Sequence, residues 1–197
     1  MNRFENKVVV ITGAAGGIGK ATTRRIVSEG GKVVIADYSK ERADELAAEL
    51  TQSGADVRSV YFSATELQSC KELIDFAMKE YGQVDVLINN VGGTDPKRDL
   101  NIEKLDIDYF DEAFHLNLCC TMYLSQQVIP IMTAHGGGNI LNVASTSRCK
   151  RNTLRSQQGR CYQPDQIYRY PNGKEKYPLQ CRSPRSGAHS RCCEQSQ

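Results

Sequence analysis

The sequence predicts an α/β fold in which helices cover both faces of a doubly wound parallel sheet. The first observation behind this prediction is that short, largely apolar runs alternate with stretches of helical periodicity up to about residue 143. Apolar runs of this kind are typical of strands that are buried on both faces. The second observation is that successive runs are separated by helical stretches, which indicates right-handed crossovers between parallel strands.

Each predicted element has its own local signal. The strands are the apolar runs 7–11, 33–36, 57–62, 84–88 and 139–143. The helices are the periodic stretches 17–29, 39–52, 66–81 and 109–133. Gly30 and Gly31 end the first helix. Ser39 is the expected N-cap of the second, because a serine hydroxyl accepts a hydrogen bond from a free backbone N–H of the first turn.

The composition changes abruptly after residue 147. Residues 1–147 carry 14 Lys or Arg and 20 Asp or Glu, whereas residues 148–197 carry 11 and 3. The second segment has only three Leu, Ile, Val or Phe residues, so it cannot bury enough apolar surface to offset the entropy lost on ordering. We therefore expect one globular domain over 1–147 and a basic, disordered tail over 148–197.

Nothing in the sequence favours export, a membrane or a metal site. The first residues run into a strand without the apolar segment of a signal peptide, and no stretch has the roughly 18 apolar residues of a spanning helix. Five of the eight cysteines lie in the basic tail, without the C-x-x-C spacing of zinc sites. These features predict a cytoplasmic protein with no metal.

A glycine-rich turn joins the first strand to the first helix and reads Thr-Gly-Ala-Ala-Gly-Gly-Ile-Gly over 12–19. Glycines let a pyrophosphate approach the backbone, and the helix N-terminus supplies free N–H groups. Asp37 ends the second strand, where a carboxylate can accept both ribose hydroxyls and repel a 2′-phosphate. A glycine-rich turn alone is as often a tight strand-to-helix connection as a nucleotide site. The order found here, in which the turn lies between a strand and a helix and an acid ends the next strand, predicts a dinucleotide site.

Further motifs follow in a fixed order, namely Asn89-Asn90-Val91-Gly92, then Asn117, then Asn142-Val143-Ala144-Ser145. With the glycine turn they resemble the short-chain dehydrogenase/reductase family over residues 5–147. The resemblance implies a Rossmann-type sheet, truncated here after the fifth strand, which binds NAD for hydride transfer between a secondary alcohol and a ketone. Residues 61–66, 89–94 and 124–130 are similar to family members that act on the 7α-hydroxyl of bile acids.

The resemblance also implies roles for single positions. Cofactor binding falls to Gly13, Gly17, Ile18, Gly19, Asp37, Tyr38, Ser63, Ala64, Asn90 and Gly92. Asp37 would select NAD over NADP, and Ser63 stands where the family usually has Asp beside the adenine. Ser145 would hold the substrate oxygen and Asn117 a proton-relay water, while Asn89 is expected to brace the sheet.

The Tyr and Lys that complete the family's catalytic site are missing from their expected place, a helix soon after Ser145. Among the tail's tyrosines only Tyr170 has a lysine four residues later, Lys174, and the intervening Pro-Asn-Gly is typical of a turn. Without a phenol beside an ammonium group, the site lacks an acid and base tuned to neutral pH. We expect this chain to be inactive.

The basic tail has the character of a shifted reading frame. Residues 152–160 can be encoded by codons that, read one nucleotide later, give T-L-Y-G-A-S-K-A, which contains the missing Tyr and Lys. Suitable codons for residues 160–186 continue as G-V-I-N-L-T-K-Y-I-A-T-Q-M-G-K-K-N-I-R-C-N-A-V-A-P-G, which is similar to the family's next helix and strand. We infer a frameshift near Arg148.

An alternative interpretation is a nucleotide-binding module whose basic tail binds nucleic acid. Charge is its only support, because the tail contains no recognisable nucleic-acid module. We therefore favour a small-molecule substrate, a steroid or bile acid, with no nucleic-acid or membrane partner. The resemblance implies that full-length relatives are homotetramers. The C-terminal elements that the family's tetramers use are out of frame here, so the sequence leaves the oligomeric state of this chain open.

Overall fold

The computed structural model describes residues 2–99, 102–104, 106–144 and 167–170, of which Ile102 and the last four are described by their backbone alone. Five parallel strands form the sheet: β1 (Val8–Thr12), β2 (Lys32–Asp37), β3 (Val57–Tyr61), β4 (Val86–Asn89) and β5 (Gly138–Asn142). Their spatial order is β3-β2-β1-β4-β5, and the chain reverses direction of winding between β1 and β4. This arrangement confirms the predicted doubly wound sheet of Rossmann type.

Five α-helices accompany these strands in the described part of the chain: α1 (Gly17–Ser28), α2 (Lys40–Gln52), α3 (Leu67–Tyr81), α4 (Ile107–Phe114) and α5 (Cys120–Ala134). A single 3₁₀ turn, Ile102–Lys104, precedes α4. Ser39 caps α2 as predicted, since its hydroxyl accepts a hydrogen bond from the N–H of Arg42 at 3.4 Å.

The long helix predicted over 109–133 is interrupted. A π-helical turn, His115–Cys119, lies between α4 and α5. The apolar periodicity runs through this turn, so the sequence pattern does not reveal it. Single π-helical turns widen a helix by one residue and often occur at functional sites, and this one carries Asn117.

The core has one layer on each face of the sheet. On one face, α3 and α5 pack Leu73, Leu124 and Val128 against Leu87 and Ile140 of the strands. On the other, α1 and α2 pack Ile26 and Leu46 against Ile11 and Ile35. Burying such a side chain contributes about 1.5–3 kcal/mol, so these two layers fix the helices and, with them, the loops at the strand ends.

The N-terminal segment is anchored to the end of α1. Arg3 and Arg25 both form ion pairs with Glu29, with Arg25 Nε 2.6 Å from the carboxylate. The hydrogen bond from Arg3, and after it the hydrogen bond and charge of Arg25, lower the pKa of Glu29 to about 2. The two cations thus stabilise a carboxylate at a helix C-terminus, where a negative charge alone would be unfavourable.

A sixth strand, β6 (Ile167–Tyr170), pairs antiparallel with β5. The register joins Gly138 to Tyr170 and Leu141 to Ile167. The sequence analysis expects a disordered tail, so these four residues are a correction, whereas the rest of 148–197 lies outside the described residues. The physical reason is that the outer edge of β5 offers unpaired N–H and C=O groups, and Ile and Tyr are favourable strand residues.

Within the described ranges, no helix is both long and apolar enough to cross a membrane. In those same ranges, no group of three or more His, Cys, Asp or Glu side chains is placed to hold a metal ion.

Candidate functional site

The glycine-rich turn lies at the carboxyl end of β1. Gly13 has a φ of 62°, a left-handed conformation that glycine adopts without strain. A Cβ at Gly19 would lie 2.1 Å from the carbonyl oxygen of Gly13, so α1 packs against the turn only because residue 19 has no side chain. At Gly17, by contrast, a Cβ would meet none of the described atoms within 4 Å. The first turn of α1 therefore has open space beside it.

The N-terminus of α1 is accessible to a ligand. Its N-cap is Gly16, and no side chain in the described structure caps it. Ile18, in the first turn, is 66% exposed. Free N–H groups and the positive end of the helix dipole attract an anion. The bare helix end and the space at Gly17 together fit a pyrophosphate group.

Asp37, the last residue of β2, is buried beside the glycine turn. Its Oδ2 accepts a hydrogen bond from the N–H of Ala15 at 2.9 Å, and its Oδ1 accepts one from the N–H of Ser39 at 3.0 Å. Arg42 Nη2 lies 4.0 Å from Oδ1. A carboxylate has roughly four lone-pair positions, so two remain for hydroxyl donors such as those of a ribose.

Three further residues predicted to bind the cofactor follow β2 and β3, and two of them, Ser63 and Ala64, are those predicted beside the adenine. Tyr38 is 71% exposed, and its ring centroid is 5.7 Å from that of Tyr61. Ser63 and Ala64 are buried. The Ser63 hydroxyl lies 3.1 Å from that of Thr65, so it is engaged within its own loop, whereas Tyr38 presents an open aromatic face.

Asn90 joins the loop after β4 to the glycine turn. Its Nδ2 donates to the carbonyl oxygens of Thr12 at 3.0 Å and Gly13 at 3.1 Å. The Thr12 hydroxyl in turn accepts from the backbone N–H groups of Asn90 and Val91, both at 3.1 Å. The two loops that border the crevice between β1 and β4 are thereby held as one unit.

Asn117 holds the same loop from the other side. Its Oδ1 accepts from the N–H of Gly93 at 2.9 Å, and its Nδ2 donates to the carbonyl oxygens of Gly93 and Ala113, both at 2.8 Å. A Cβ at Gly92 would lie 3.0 Å from Asn117 Oδ1, so the absence of a side chain there allows the close approach. The carboxamide of Asn117 is thus hydrogen-bonded to backbone.

The carboxyl end of β5 lies beside that of β4. Asn89 Nδ2 donates to Asn142 Oδ1 at 2.8 Å and joins the carboxyl ends of β4 and β5, consistent with the expected bracing role. Ser145 and Lys174 lie outside the described residues. Tyr170 ends a strand, β6, whereas the family's Tyr and Lys share a helix face.

Thr12, which begins the glycine-rich motif, and Tyr109 have no role predicted from the sequence. Thr12 is fully buried, and the signal that could have found it is a hydroxyl residue ending an otherwise apolar strand. Tyr109 is 3% exposed, and its hydroxyl donates to Thr94 Oγ1 at 3.1 Å while accepting from the N–H of Asp95. Tyr109 has no signal in the sequence, because only the folded chain places α4 beside this loop.

The strand order, the glycine turn and the acid at the end of β2 define a domain of the Rossmann class. A sequence model of the short chain dehydrogenase family matches residues 7–156, and the chain belongs to this family.

Similar proteins include 7α-hydroxysteroid dehydrogenases from several bacteria. The chain is 80% identical to that of Bacteroides fragilis over 147 residues, which are 75% of this chain and 57% of that protein. It is 35% identical to that of Escherichia coli K12 over 150 residues, 76% of this chain and 57% of that one. The chain therefore spans less than two thirds of the length of these relatives.

A solved 7α-hydroxysteroid dehydrogenase, complexed with NADH and 7-oxo glycochenodeoxycholic acid, has the same fold. It superposes with a TM-score of 0.73 at 31% identity and covers 80% of this chain and 61% of its own. A hydroxysteroid dehydrogenase from Escherichia coli gives a TM-score of 0.69 at 30% identity, covering 80% and 62%.

Proposed function

We propose that residues 1–147 are the cofactor-binding part of an NAD-dependent 7α-hydroxysteroid dehydrogenase, which interconverts the 7α-hydroxyl of bile acids and the 7-ketone. The observation that carries the proposal is the 80% identity to the Bacteroides fragilis enzyme over 147 residues. The solved relative that holds NADH and a 7-oxo bile acid supports the same cofactor and substrate class.

The geometry supports a place for each part of the cofactor, whose nicotinamide ring supplies the hydride chemistry when bound. Gly13, Gly17, Ile18 and Gly19 would take the pyrophosphate at the α1 N-terminus, where space and free N–H groups coincide. Asp37 would accept the ribose hydroxyls with its two remaining lone-pair positions, and Tyr38, Ser63 and Ala64 would border the adenine. Asn90 and Gly92 would border the nicotinamide half.

The catalytic groups of this chain are incomplete in the proposal. Ser145 would hold the substrate oxygen by hydrogen bonding, and Asn117 would support the proton relay from the π-helical turn. The Tyr that transfers the proton and the Lys that lowers the pKa of its phenol belong to the frame that the chain leaves near Arg148. We therefore propose a cofactor-binding protein without turnover.

The experiment compares the present chain with a frame-restored protein, in which the family frame continues after residue 147. The present chain should bind NADH but should not oxidise a 7α-hydroxy bile acid, whereas the frame-restored protein should do both. A frame-restored protein that reduces other ketones but not 7-oxo bile acids would contradict the substrate. Failure of either protein to bind NADH would contradict the cofactor.

The frameshift itself is tested on the gene. Resequencing across the codons for residues 145–150 should reproduce the shifted frame and the small deletion that we infer. If the family frame is intact there, the tail of this sequence is an error of sequencing and the frameshift proposal fails.

A further inference from the structure

We propose that Tyr109 is a positioning residue that, together with Thr94, sets the loop after β4 (residues 90–95) against the nicotinamide half of the cofactor site. The inference rests on the proposed function, because it assigns a task to a residue that borders the same site.

The first support is a directional chain of hydrogen bonds. The N–H of Asp95 donates to the Tyr109 hydroxyl, which donates to Thr94 Oγ1 at 3.1 Å. Thr94 Oγ1 then donates to Asp99 Oδ2 at 2.6 Å. Each hydroxyl acts once as acceptor and once as donor, so the orientation of every group is determined by its neighbours, and hydrogen bonds in such chains strengthen one another.

The ring of Tyr109 is itself fixed. The side chain is 3% exposed, and the guanidinium of Arg98 lies over the ring, 4.7 Å from its centroid. Arg98 also forms ion pairs with Asp106 at 3.0 Å and Glu112 at 2.8 Å. A buried ring that lies under a cation has little rotational freedom, so its hydroxyl is a fixed point for the loop.

Tyr109 and Asn117 hold neighbouring residues of the loop. Asn117 hydrogen-bonds to the N–H and the carbonyl of Gly93, and Tyr109 takes the next two residues, Thr94 and Asp95. Both side chains come from the continuous stretch formed by α4 and the π-helical turn. The loop is therefore fixed at consecutive residues by a single rigid element.

The topology indicates which half of a dinucleotide this loop meets. In open α/β sheets the ligand lies across the carboxyl ends of the strands, at the point where the strand order reverses, here between β1 and β4. Asp37 takes the adenosine ribose on the β2 side, and the pyrophosphate lies at the glycine turn after β1. The remaining half must extend over β4, whose following loop Tyr109 holds.

The test measures the affinity of the present full-length chain for two probes, NADH and ADP-ribose, which lacks the nicotinamide ring. Tyr109→Phe removes only the hydroxyl. It should weaken NADH binding on the order of tenfold, the effect of losing a buried hydrogen-bond partner, and change ADP-ribose binding less than about twofold.

The matched control is Tyr81→Phe. Tyr81 is a partly buried tyrosine whose hydroxyl donates to Asp56 Oδ1 at 3.1 Å. Asp56 directly precedes β3, at the amino ends of the strands and so at the end of the sheet opposite the site. This variant loses a comparable hydrogen bond and should leave both affinities unchanged, which separates loss of stability from loss of positioning.

If Tyr109→Phe does not fold, Thr94→Val interrupts the same chain of hydrogen bonds, and Thr94→Ser restores the hydroxyl. Thr94→Val should weaken the binding of NADH but not that of ADP-ribose, and Thr94→Ser should recover the affinity for NADH. Equal effects on both probes, no effect, or a parent chain that binds NADH no better than ADP-ribose would overturn the inference and leave the cofactor proposal intact. Binding of neither probe by the parent chain would overturn both.

Discussion

Asp37 and Ala15 are joined by a hydrogen bond of 2.9 Å from the Ala15 N–H to the Asp37 carboxylate. The acid that the sequence marks as the ribose ligand therefore also fixes the glycine turn, 22 residues earlier in the chain. If Asp37 selects the cofactor as proposed, cofactor selection and turn geometry both depend on this side chain.

The first prediction concerns Asp37→Ala in the frame-restored protein. Removing the carboxylate should relax discrimination against NADP by about 1–3 kcal/mol, the scale of leaving a polar group unpaired. Because the Ala15 N–H loses its acceptor, the variant should also bind both cofactors less tightly. Steady-state kinetics with NAD and NADP measure the ratio, and a preference for NADP before mutation would show that Asp37 does not select the cofactor.

The second prediction concerns two glycines of the same turn, one needed for stability and the other for NADH binding. Gly19→Ala should destabilise the chain by about 1–3 kcal/mol, the cost of overpacking, because its Cβ would lie 2.1 Å from the Gly13 carbonyl oxygen. Gly17→Ala should leave the melting temperature unchanged or raise it, since Ala favours a helix, yet should weaken NADH binding by filling the open space. Thermal melts and NADH titrations on both variants check this, and unchanged NADH affinity in Gly17→Ala would contradict it.

The third prediction concerns stability at low pH. The pKa of Glu29 falls from 4.5 to about 2 in the folded chain, so its contribution to stability is fully present above pH 4.5 and is lost as the pH falls towards 2. Glu29→Gln should therefore lower stability at neutral pH and flatten the fall in stability between these values. Urea unfolding as a function of pH measures both effects. An unaltered slope in the variant would show that the ion pairs with Arg3 and Arg25 do not form in solution.

The fourth prediction concerns turnover. The present chain should show no NAD-dependent oxidation of a 7α-hydroxy bile acid, because general acid–base catalysis, worth about 10²–10⁴-fold, lacks its Tyr and Lys. In the frame-restored protein Ser145→Ala should remove most activity. If the present chain turns over, Tyr170→Phe tests whether Tyr170 and Lys174 act instead. The position of Tyr170 in strand β6 argues against a catalytic role for this residue.

Much of the fold follows from local patterns. The short, largely apolar runs predicted all five parallel strands, and the pattern is strongest in β1 and β2, which are buried almost throughout. The π-helical turn escaped prediction because Asn117 hydrogen-bonds to Gly93, a contact between distant parts of the chain that leaves the local periodicity intact. Strand β6 escaped prediction because it pairs with the open edge of β5, and that pairing exists only after folding.

The site also combines features that the sequence reveals with features that arise only on folding. Glycines and an acid at strand ends are visible in the sequence because the backbone conformation or the charge itself requires them. The side chains that hold the loops together, Thr12 and Tyr109, act on backbone groups of distant residues, and such pairings exist only after folding.

Strand β6 also limits how copies of this chain can associate. A sheet grows by adding strands to a free edge, and the outer edge of β5 is already paired over Gly138 to Leu141. Because this pairing comes from the same polypeptide, an incoming strand from a second copy would meet β6 on this side of the sheet and not β5. At the opposite edge of the sheet, β3 places Arg58 and the exposed Tyr61 in the path of an incoming strand, and a charged side chain on an edge opposes such pairing.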